Sequence, residues 1–376
     1  MKKLSVLHIC NDFLWTKVHR NLYVNLDQLS VIQKIFTPIR GNSNKENNAI
    51  NFNVEDSKVL YSSLLNNYHR FFFKSKIKKI FRDIELTNEI ENVNIVHATT
   101  LFSDGALAYE IYKKYKKPYV ISIRNTDINV FLKYRPDLIF LAHKILKNAQ
   151  KIIFISQSNY NQFYKNKLIK LKSSEYKNKT TIINNGIDQF WLNNINKREN
   201  KVPKEILFIG RFDKNKNVLA IIKSFLELNK KDNKLKLKLV GGLGENQKEV
   251  EDIINRNKEK IKYFGVVTSL EELLGIYRES DIFAMVSHHE TFGLVYIEAL
   301  SQGLPILYTK NQGIDCTFTE NIGVGVNPKS ENEIYSGLIH IIDNYNNFEI
   351  NEINFEKFHW QNITLKYIEI YNSILR

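Results

Sequence analysis

The order of apolar and amphipathic segments predicts an α/β protein built from two parallel sheets, each flanked by helices. Two observations carry this reading. Short strand-like apolar runs alternate with helical segments along the chain. A polar, Asn-rich stretch without periodicity, Asn193 to Lys201, interrupts the alternation, which then restarts. At 376 residues the chain also exceeds one ordinary domain, and hydrophobic residues at 43% can fill two cores. In the first half, strands are expected at 4–10, 31–37, 94–97, 118–123, 151–155 and 181–183, with helices at 20–29, 74–91, 104–115 and 137–148. After the break come strand 205–209, helix 217–229, strand 235–240, helix 246–257, strand 261–264, helix 269–278, strand 281–286, helix 293–302 and strand 305–308. Residues 1–190 and 204–358 are the expected domains, 191–203 the linker and 359–376 a closing helix.

Composition narrows the function classes. No apolar run reaches the ~18 residues of a membrane span. The start turns polar at Asn11 and Asp12, too soon for a secretory signal, and reads as a first buried strand. Cys10 and Cys316 lie far apart without metal-ligand spacing, so a reducing cytosol is expected. No Asp-X-Asp metal site appears, Asp83-Ile84-Glu85 reading as mid-helix, and no metal and no cofactor are expected. Residues 1–200 hold 32 Lys and Arg against 16 Asp and Glu, a net of +16; the remainder, 22 against 24, nets −2. The densest piece, Phe71 to Arg82, interleaves aromatics with cations. It reads either as a solvated Lys face over a buried stripe or as a contact with an anionic membrane surface. No nucleic-acid-binding signature is present.

The most telling segment runs from Ser287 to Pro305. Glu290 is expected in the loop after strand 281–286, and Glu298 about a turn and a half inside the following helix. Between them, the N–H groups of Phe292, Gly293, Leu294 and Val295 are expected to be unpaired at the helix start, where an anion such as a diphosphate can bind. Hydroxyl acceptors on either side of a phosphate cradle suit a sugar nucleotide. Gly210 to Asn217, Gly241 to Glu245 and Gly265 to Val267 follow neighbouring strands and are expected at the same carboxyl edge.

These residues resemble the retaining glycosyltransferases of family 4, of the bacterial surface-polysaccharide type. The matches are Gly210-Arg211 with Lys216, the Glu290/Glu298 pair within Ser287…Phe292-Gly293-Leu294…Gly303…Pro305, Asn185-Gly186-Ile187-Asp188, and the tail from Phe358-His359-Trp360 to Tyr371. The resemblance implies the GT-B architecture: two Rossmann-like domains facing across a cleft, with a C-terminal helix returning to the first. It implies that Arg211 and Lys216 hold the donor diphosphate, that Glu298 accepts from ribose hydroxyls and that Glu290 accepts from the transferred sugar. Glu290, Arg211 and Lys216 are then the catalytic candidates. Glu298, Phe292, Gly293, Leu294, Val295, Gly210 and Val266 are donor-binding candidates, with a UDP-sugar as the expected donor. Displacement would occur on one face of the sugar, the donor phosphate taking the acceptor proton, with no enzymic nucleophile. The adjacent His288 and His289 read as loop residues rather than metal ligands.

The first half departs from that family. Where many members carry a Gly-Gly loop after the first strand, this chain has Asn11 to Arg20 without glycine, and Thr16 or Lys17 is expected at the phosphate or acceptor. Where members carry a His-Gly-Ser/Thr-Asp stretch, this chain has Arg124-Asn125-Thr126-Asp127, a guanidinium in place of a titratable ring. Arg124, Asp127 and His97 are therefore candidates on the acceptor or sugar side, Arg124 alternatively as an interdomain salt bridge; Ser103 and Asp104 read as helix caps. The expected acceptor is a glycan or polyprenyl-linked oligosaccharide at the inner membrane leaflet. Two other readings stand beside transfer: a nucleotide-sugar epimerase or phosphorylase of the same fold, and a non-catalytic sugar-nucleotide or membrane-binding module.

Overall fold

The computed structural model describes residues 3–41, 43–231 and 233–376, Arg70 through its backbone alone. Met1 and Lys2, at the start of the chain, lie outside the described residues. The chain forms two compact α/β units. The first comprises residues 1–155, 159–186 and 360–376, and the second 156–158 and 187–359.

The first unit holds β1 (Ser5–Ile9), β2 (Ile32–Thr37), β3 (Lys58–Tyr61), β4 (Ile95–Ala98), β5 (Tyr119–Ile123), β6 (Lys151–Phe154) and β7 (Thr180–Ile182). They order β3-β2-β1-β4-β5-β6-β7 with every pairing parallel. All residues of β1, β4 and β5 are buried, as expected of strands covered by helices on both faces. The order reverses between β1 and β4, and the loops after those strands form the ligand edge of such a sheet.

The second unit holds β8 (Glu205–Arg211), β9 (Lys236–Gly242), β10 (Ile261–Tyr263), β11 (Ile282–Ala284), β12 (Ile306–Thr309) and β13 (Gly323–Val326), ordered β10-β9-β8-β11-β12-β13 and again all parallel. Its reversal lies between β8 and β11, where Ile282 pairs with Ile206 and Phe283 with Leu207.

The helix Trp360–Leu375 belongs to the first unit. Trp360, Ile363, Tyr367 and Tyr371 enter a core with Leu22, Leu26 and Ile95. Residues 191–203, expected as a linker, belong to the second unit, and the division falls at Gly186/Ile187. Their polar composition conceals specific anchors. Trp191 is buried in the short helix Gln189–Asn193, Asn196 N–H donates to the Ser301 carbonyl at 2.8 Å, and the Arg198 guanidinium donates to the Tyr345 and Phe348 carbonyls at 2.7 and 2.6 Å.

Candidate active site

The reversal point of the second sheet brings together the loops after β8 and β11, and Asn215 joins them. Its carbonyl accepts from His288 N–H at 2.8 Å and its side-chain oxygen from His289 N–H at 3.0 Å. Its amide donates to the His289 carbonyl at 3.1 Å. Asn217, in the left-handed region at φ 58°, donates to the carbonyls of Val286 and Pro328 at 3.3 and 2.8 Å. Asp213 accepts from Lys216 N–H at 2.8 Å. These bonds fix the backbone on both sides of the pair that matters. Lys216 Nζ lies 2.7 Å from Glu290 Oε2, although 74 residues separate them.

Glu290 is 9% exposed and held on several sides. Its Oε1 accepts from Thr291 N–H at 3.0 Å, and the Ser287 hydroxyl lies 3.5 Å from Oε2. The loop after β12 supports it: Gly313 N–H donates to the Glu290 carbonyl at 3.1 Å, and Gln312 Oε1 accepts from Glu290 N–H at 3.4 Å. Gly313 has φ 46°, and a Cβ there would stand 2.8 Å from Glu290 Cγ. Neither Asn215 nor Gly313 was among the expected site residues; a glycine just after a strand was the available signal.

The helix Leu294–Ser301 begins at Gly293, whose φ is 82°. The N–H groups of Phe292, Gly293, Leu294 and Val295 have no acceptor among the described residues, so four donors stand at the positive helix end, where a Cβ on Gly293 would lie 3.2 Å from Glu290 Cγ. The Phe292 ring is 2% exposed and packs on Phe358, leaving its backbone as the group that can meet a ligand. Glu298, partly buried on this helix, accepts from the Tyr277 hydroxyl at 3.2 Å. Burial pushes its carboxyl up to about 7, the Tyr277 bond opposes the rise, and the charge of Asp188 adds to it.

The other donor-side candidates sit around this centre. Arg211, at the end of β8, is exposed; its Nη2 donates to the Leu243 carbonyl at 2.8 Å and its Nε lies 3.5 Å from Asp213. It does not pair with either glutamate among the described residues. Gly210 keeps the strand end narrow, since a Cβ would meet the Phe208 ring at 3.3 Å and Lys216 Cγ at 3.6 Å. Val266 is 55% exposed on the loop after β10.

In the first unit most of the expected acceptor-side residues bond within the protein. Thr16 caps the helix Lys17–Gln28, its hydroxyl accepting from Val18 N–H at 3.3 Å, and Lys17 is exposed at that helix start. His97 is 2% exposed, with Nδ1 2.7 Å from the Tyr371 hydroxyl and Nε2 3.0 Å from the Ser122 hydroxyl. Burial, with the charges of Arg124 and His19, pushes it down to about 3, so it is neutral in the core. Asp127 is fully buried and accepts from the N–H groups of Arg124, Leu101 and Phe102 at 2.9, 3.0 and 3.2 Å, which makes it a loop anchor. Burial pushes its carboxyl up to about 6 against those bonds. Arg124 reaches the Thr99 carbonyl and Asn185 Oδ1, both at 3.4 Å. The helix Ser103–Tyr115 has Phe102 at its cap position; the Asp104 carboxylate instead accepts from the Thr99 and Thr100 hydroxyls at 2.8 and 3.0 Å.

One potential ligand cluster exists among the described residues: Cys10, Asp12 and His19, whose donor atoms lie within 4.8 Å of one another. Asp12 Oδ1 already lies 3.1 Å from His19 Nε2 and 3.5 Å from Cys10 Sγ. Burial pushes the Cys10 thiol well up, so in this arrangement it is a protonated donor to Asp12.

Comparison with known proteins finds similarity to glycosyltransferases. Residues 190–353, nearly all of the second unit, match the family model of glycosyl transferases group 1. Over 86% of its length the chain is 26% identical to an alpha-monoglucosyldiacylglycerol synthase of Acholeplasma laidlawii, covering 83% of that protein. It is likewise 26% identical over 88% of its length to an uncharacterized 41.2 kDa protein in the cps region of Klebsiella pneumoniae, covering 95% of it. The chain resembles the GT-B glycosyltransferases. The fold agrees. The crystal structure of Anabaena HepE in complex with UDP and glucose superposes with a TM-score of 0.63 at 16% identity, covering 99% of this chain and 98% of that one. These similarities support a glycosyltransferase that transfers a sugar, carried on an α/β fold of two parallel sheets.

Proposed function

We propose that the protein is a retaining, metal-independent transferase of family 4, moving a sugar from a UDP-sugar to a glycan or polyprenyl-linked oligosaccharide in surface-polysaccharide synthesis. The observation that carries the donor assignment is the Lys216–Glu290 pair beside four unpaired helix-start N–H groups. The N–H groups and Lys216 receive the diphosphate. As the glycosidic bond to the departing diphosphate breaks, negative charge grows on its oxygen, and a fixed ammonium beside it lowers the barrier. Arg211, exposed and held by the Leu243 carbonyl, adds a second cation at the strand end. Glu290 accepts hydroxyls of the transferred sugar, and Glu298 accepts those of the ribose. The acceptor hydroxyl attacks from the face the diphosphate leaves and passes its proton to a phosphate oxygen, so the anomeric configuration is kept and no enzymic nucleophile is required.

The basic first unit is the proposed acceptor and membrane side. On the helix Phe73–Glu85, Phe73, Ile77, Ile80 and Ile84 are buried while Lys74 and Lys78 face solvent, so the solvated-face reading describes the helix itself. Phe71, Phe72 and Phe140 nevertheless remain 78, 64 and 72% exposed. Exposed aromatics amid cations suit the anionic inner leaflet of a membrane.

A thermal-shift screen across UDP-, GDP- and ADP-sugars tests the donor; ligand at 100 times its dissociation constant adds about 2.7 kcal/mol. The expected result is stabilisation by UDP and its sugars. Release of free UDP only when a glycan acceptor is present separates transfer from epimerisation. An inverted anomeric configuration in the product, read by NMR, would refute retention.

A further inference from the structure

Three side chains of ligand type that the donor chemistry does not use meet where β1 ends. Cys10 follows the last residue of β1, and its N–H donates to the Phe36 carbonyl at 3.0 Å, so the sulfur stands on fixed backbone. His19 lies in the first turn of the helix Lys17–Gln28, whose start Thr16 caps. Its ring stacks on Tyr23, one turn later, with centroids 6.2 Å apart. Asp12 belongs to the connection between strand and helix. Neither cysteine is in a disulfide; the fold instead brings Cys10 a carboxylate and an imidazole.

The distances are those of a coordination shell. Asp12 Oδ1 lies 3.1 Å from His19 Nε2 and 3.5 Å from Cys10 Sγ, and the three donor atoms fall within 4.8 Å of one another. A tetrahedral zinc ion, ~2.0–2.1 Å from nitrogen and oxygen and ~2.3 Å from sulfur, needs the first two separations at about 3.3 and 3.6 Å. A shift of about 1 Å at most closes the third. Cys10 and His19 are buried while the Asp12 side chain is 42% exposed, so the shell has a dry wall and one open side where water completes it. Burial works against the Asp12 charge, but His19, by charge and bond, and the Arg124 charge hold the carboxyl well below its usual range, so it is already anionic. Tyr23 is fully buried, and its hydroxyl has no hydrogen-bond partner among the described residues. Burial raises the Cys10 thiol, and the Thr99 and Tyr23 hydroxyls beside it oppose the rise. A metal-bound thiolate gives the Tyr23 hydroxyl the acceptor it lacks.

We propose that Cys10, Asp12 and His19 bind a thiophilic divalent cation, zinc by ligand type, and that the ion pins the end of β1 to the first turn of the following helix. Binding replaces the thiol proton: the S–H bond breaks, its electron pair forms the sulfur–metal bond, and the proton leaves to solvent. No step of the proposed transfer uses this ion, so the two readings stand or fall separately.

The experiment is titration of the full chain, first stripped with a chelator, by Co²⁺ and then by Zn²⁺. The expected result is a sulfur-to-cobalt charge-transfer band that saturates at equimolar Co²⁺, its loss as Zn²⁺ displaces the cobalt, and a higher thermal midpoint with Zn²⁺. Cys10→Ser is expected to abolish the band. His19→Gln and Asp12→Asn are each expected to weaken Zn²⁺ binding at least about tenfold. Tyr23→Phe keeps every ligand and should still weaken it about tenfold, a loss that a merely structural hydroxyl would not cause. Cys316, the exposed thiol, should be replaceable by serine with the band unchanged. Should Cys10→Ser or His19→Gln not fold, Asp12→Asn, on the open side, and Tyr23→Phe carry the same test. Absence of the band, a band that Cys316→Ser removes, or folded variants that bind Zn²⁺ as wild type overturns the site and leaves an adventitious ion only. Failure of UDP-sugars to stabilise the protein would sink the donor assignment and leave this result standing.

Discussion

The Lys216 ammonium is held 2.7 Å from Glu290 Oε2 by two loops that Asn215 ties together. The pair is therefore preorganised, and each residue supports a different part of the proposed donor. Lys216→Ala is expected to lower kcat by about 10²–10³, the scale seen when one fixed donor to a developing charge is removed. Glu290→Ala is expected to reduce kcat/KM similarly. Because the two touch, the double variant should lose less than the two single losses combined, with a coupling of about 0.5–3 kcal/mol. Steady-state kinetics on the four proteins checks this. Full additivity would mean the pair does not act as a unit.

Glu298 gives a pH signature. Burial raises its carboxyl from the ordinary 4.5 to about 7, so the folded protein favours the neutral acid. Its contribution to stability is full below about 4.5 and is lost as pH rises through 7. An amide has no charge to bury. Glu298→Gln should therefore gain thermal stability relative to wild type as pH goes from 5.5 to 8. Donor affinity should move oppositely, because an ionised carboxylate accepts hydroxyl bonds more strongly. Wild-type UDP-sugar binding is expected to tighten as pH rises through about 7, and this dependence should vanish in Glu298→Gln. Calorimetry at both pH values reads the difference.

Gly293 and Gly265 separate backbone strain from steric conflict. Both have positive φ, 82° and 70°. A Cβ at Gly293 would stand 2.4 Å from Tyr296 Cδ2, and that ring cannot yield: it is 1% exposed and its hydroxyl donates to the Met285 carbonyl at 2.7 Å. A Cβ at Gly265 meets nothing within 4 Å. Gly265→Ala should cost about 1–2 kcal/mol, the left-handed penalty alone. Gly293→Ala should cost more and also displace the helix-start N–H groups, weakening UDP binding at least about tenfold. Thermal midpoints and nucleotide titrations of the two variants make the comparison.

The central strands were legible because burial on both faces leaves uninterrupted apolar runs such as Ile282-Phe283-Ala284. The edges were not. β3 has one exposed and three partly exposed residues, and β13 is half glycine, so neither carries a strong strand signal. Glu290 was legible through its place after a strand end, and Lys216 through the family resemblance of Gly210-Arg211 followed by Lys216. Their supports were not, since Asn215 and Gly313 act through bonds to residues 74 and 23 positions away, which no local period records. His97 and Asp127 look ligand-facing in sequence because both are polar and near strand ends. Their partners, a hydroxyl from the last helix and three backbone N–H groups, come from distant segments and turn them inward.

That inward turn of His97 is itself testable. The ring spans Tyr371 on the closing helix and Ser122 on β5, and burial keeps it neutral. Tyr371→Phe removes one partner and strands a buried ring nitrogen, a loss of about 1–3 kcal/mol. Thermal unfolding should show the lower midpoint, while transfer per folded molecule stays within about twofold, because both ring nitrogens of His97 bond within the protein. Its folded value of about 3 lies below the ordinary 6.5, so the stability it confers is full above pH 6.5 and is lost as pH falls towards 3. His97→Gln, which cannot be protonated, should accordingly lose less stability than wild type between pH 6.5 and 4.5. A large drop in kcat for either variant at full folding would return His97 to the acceptor or sugar side.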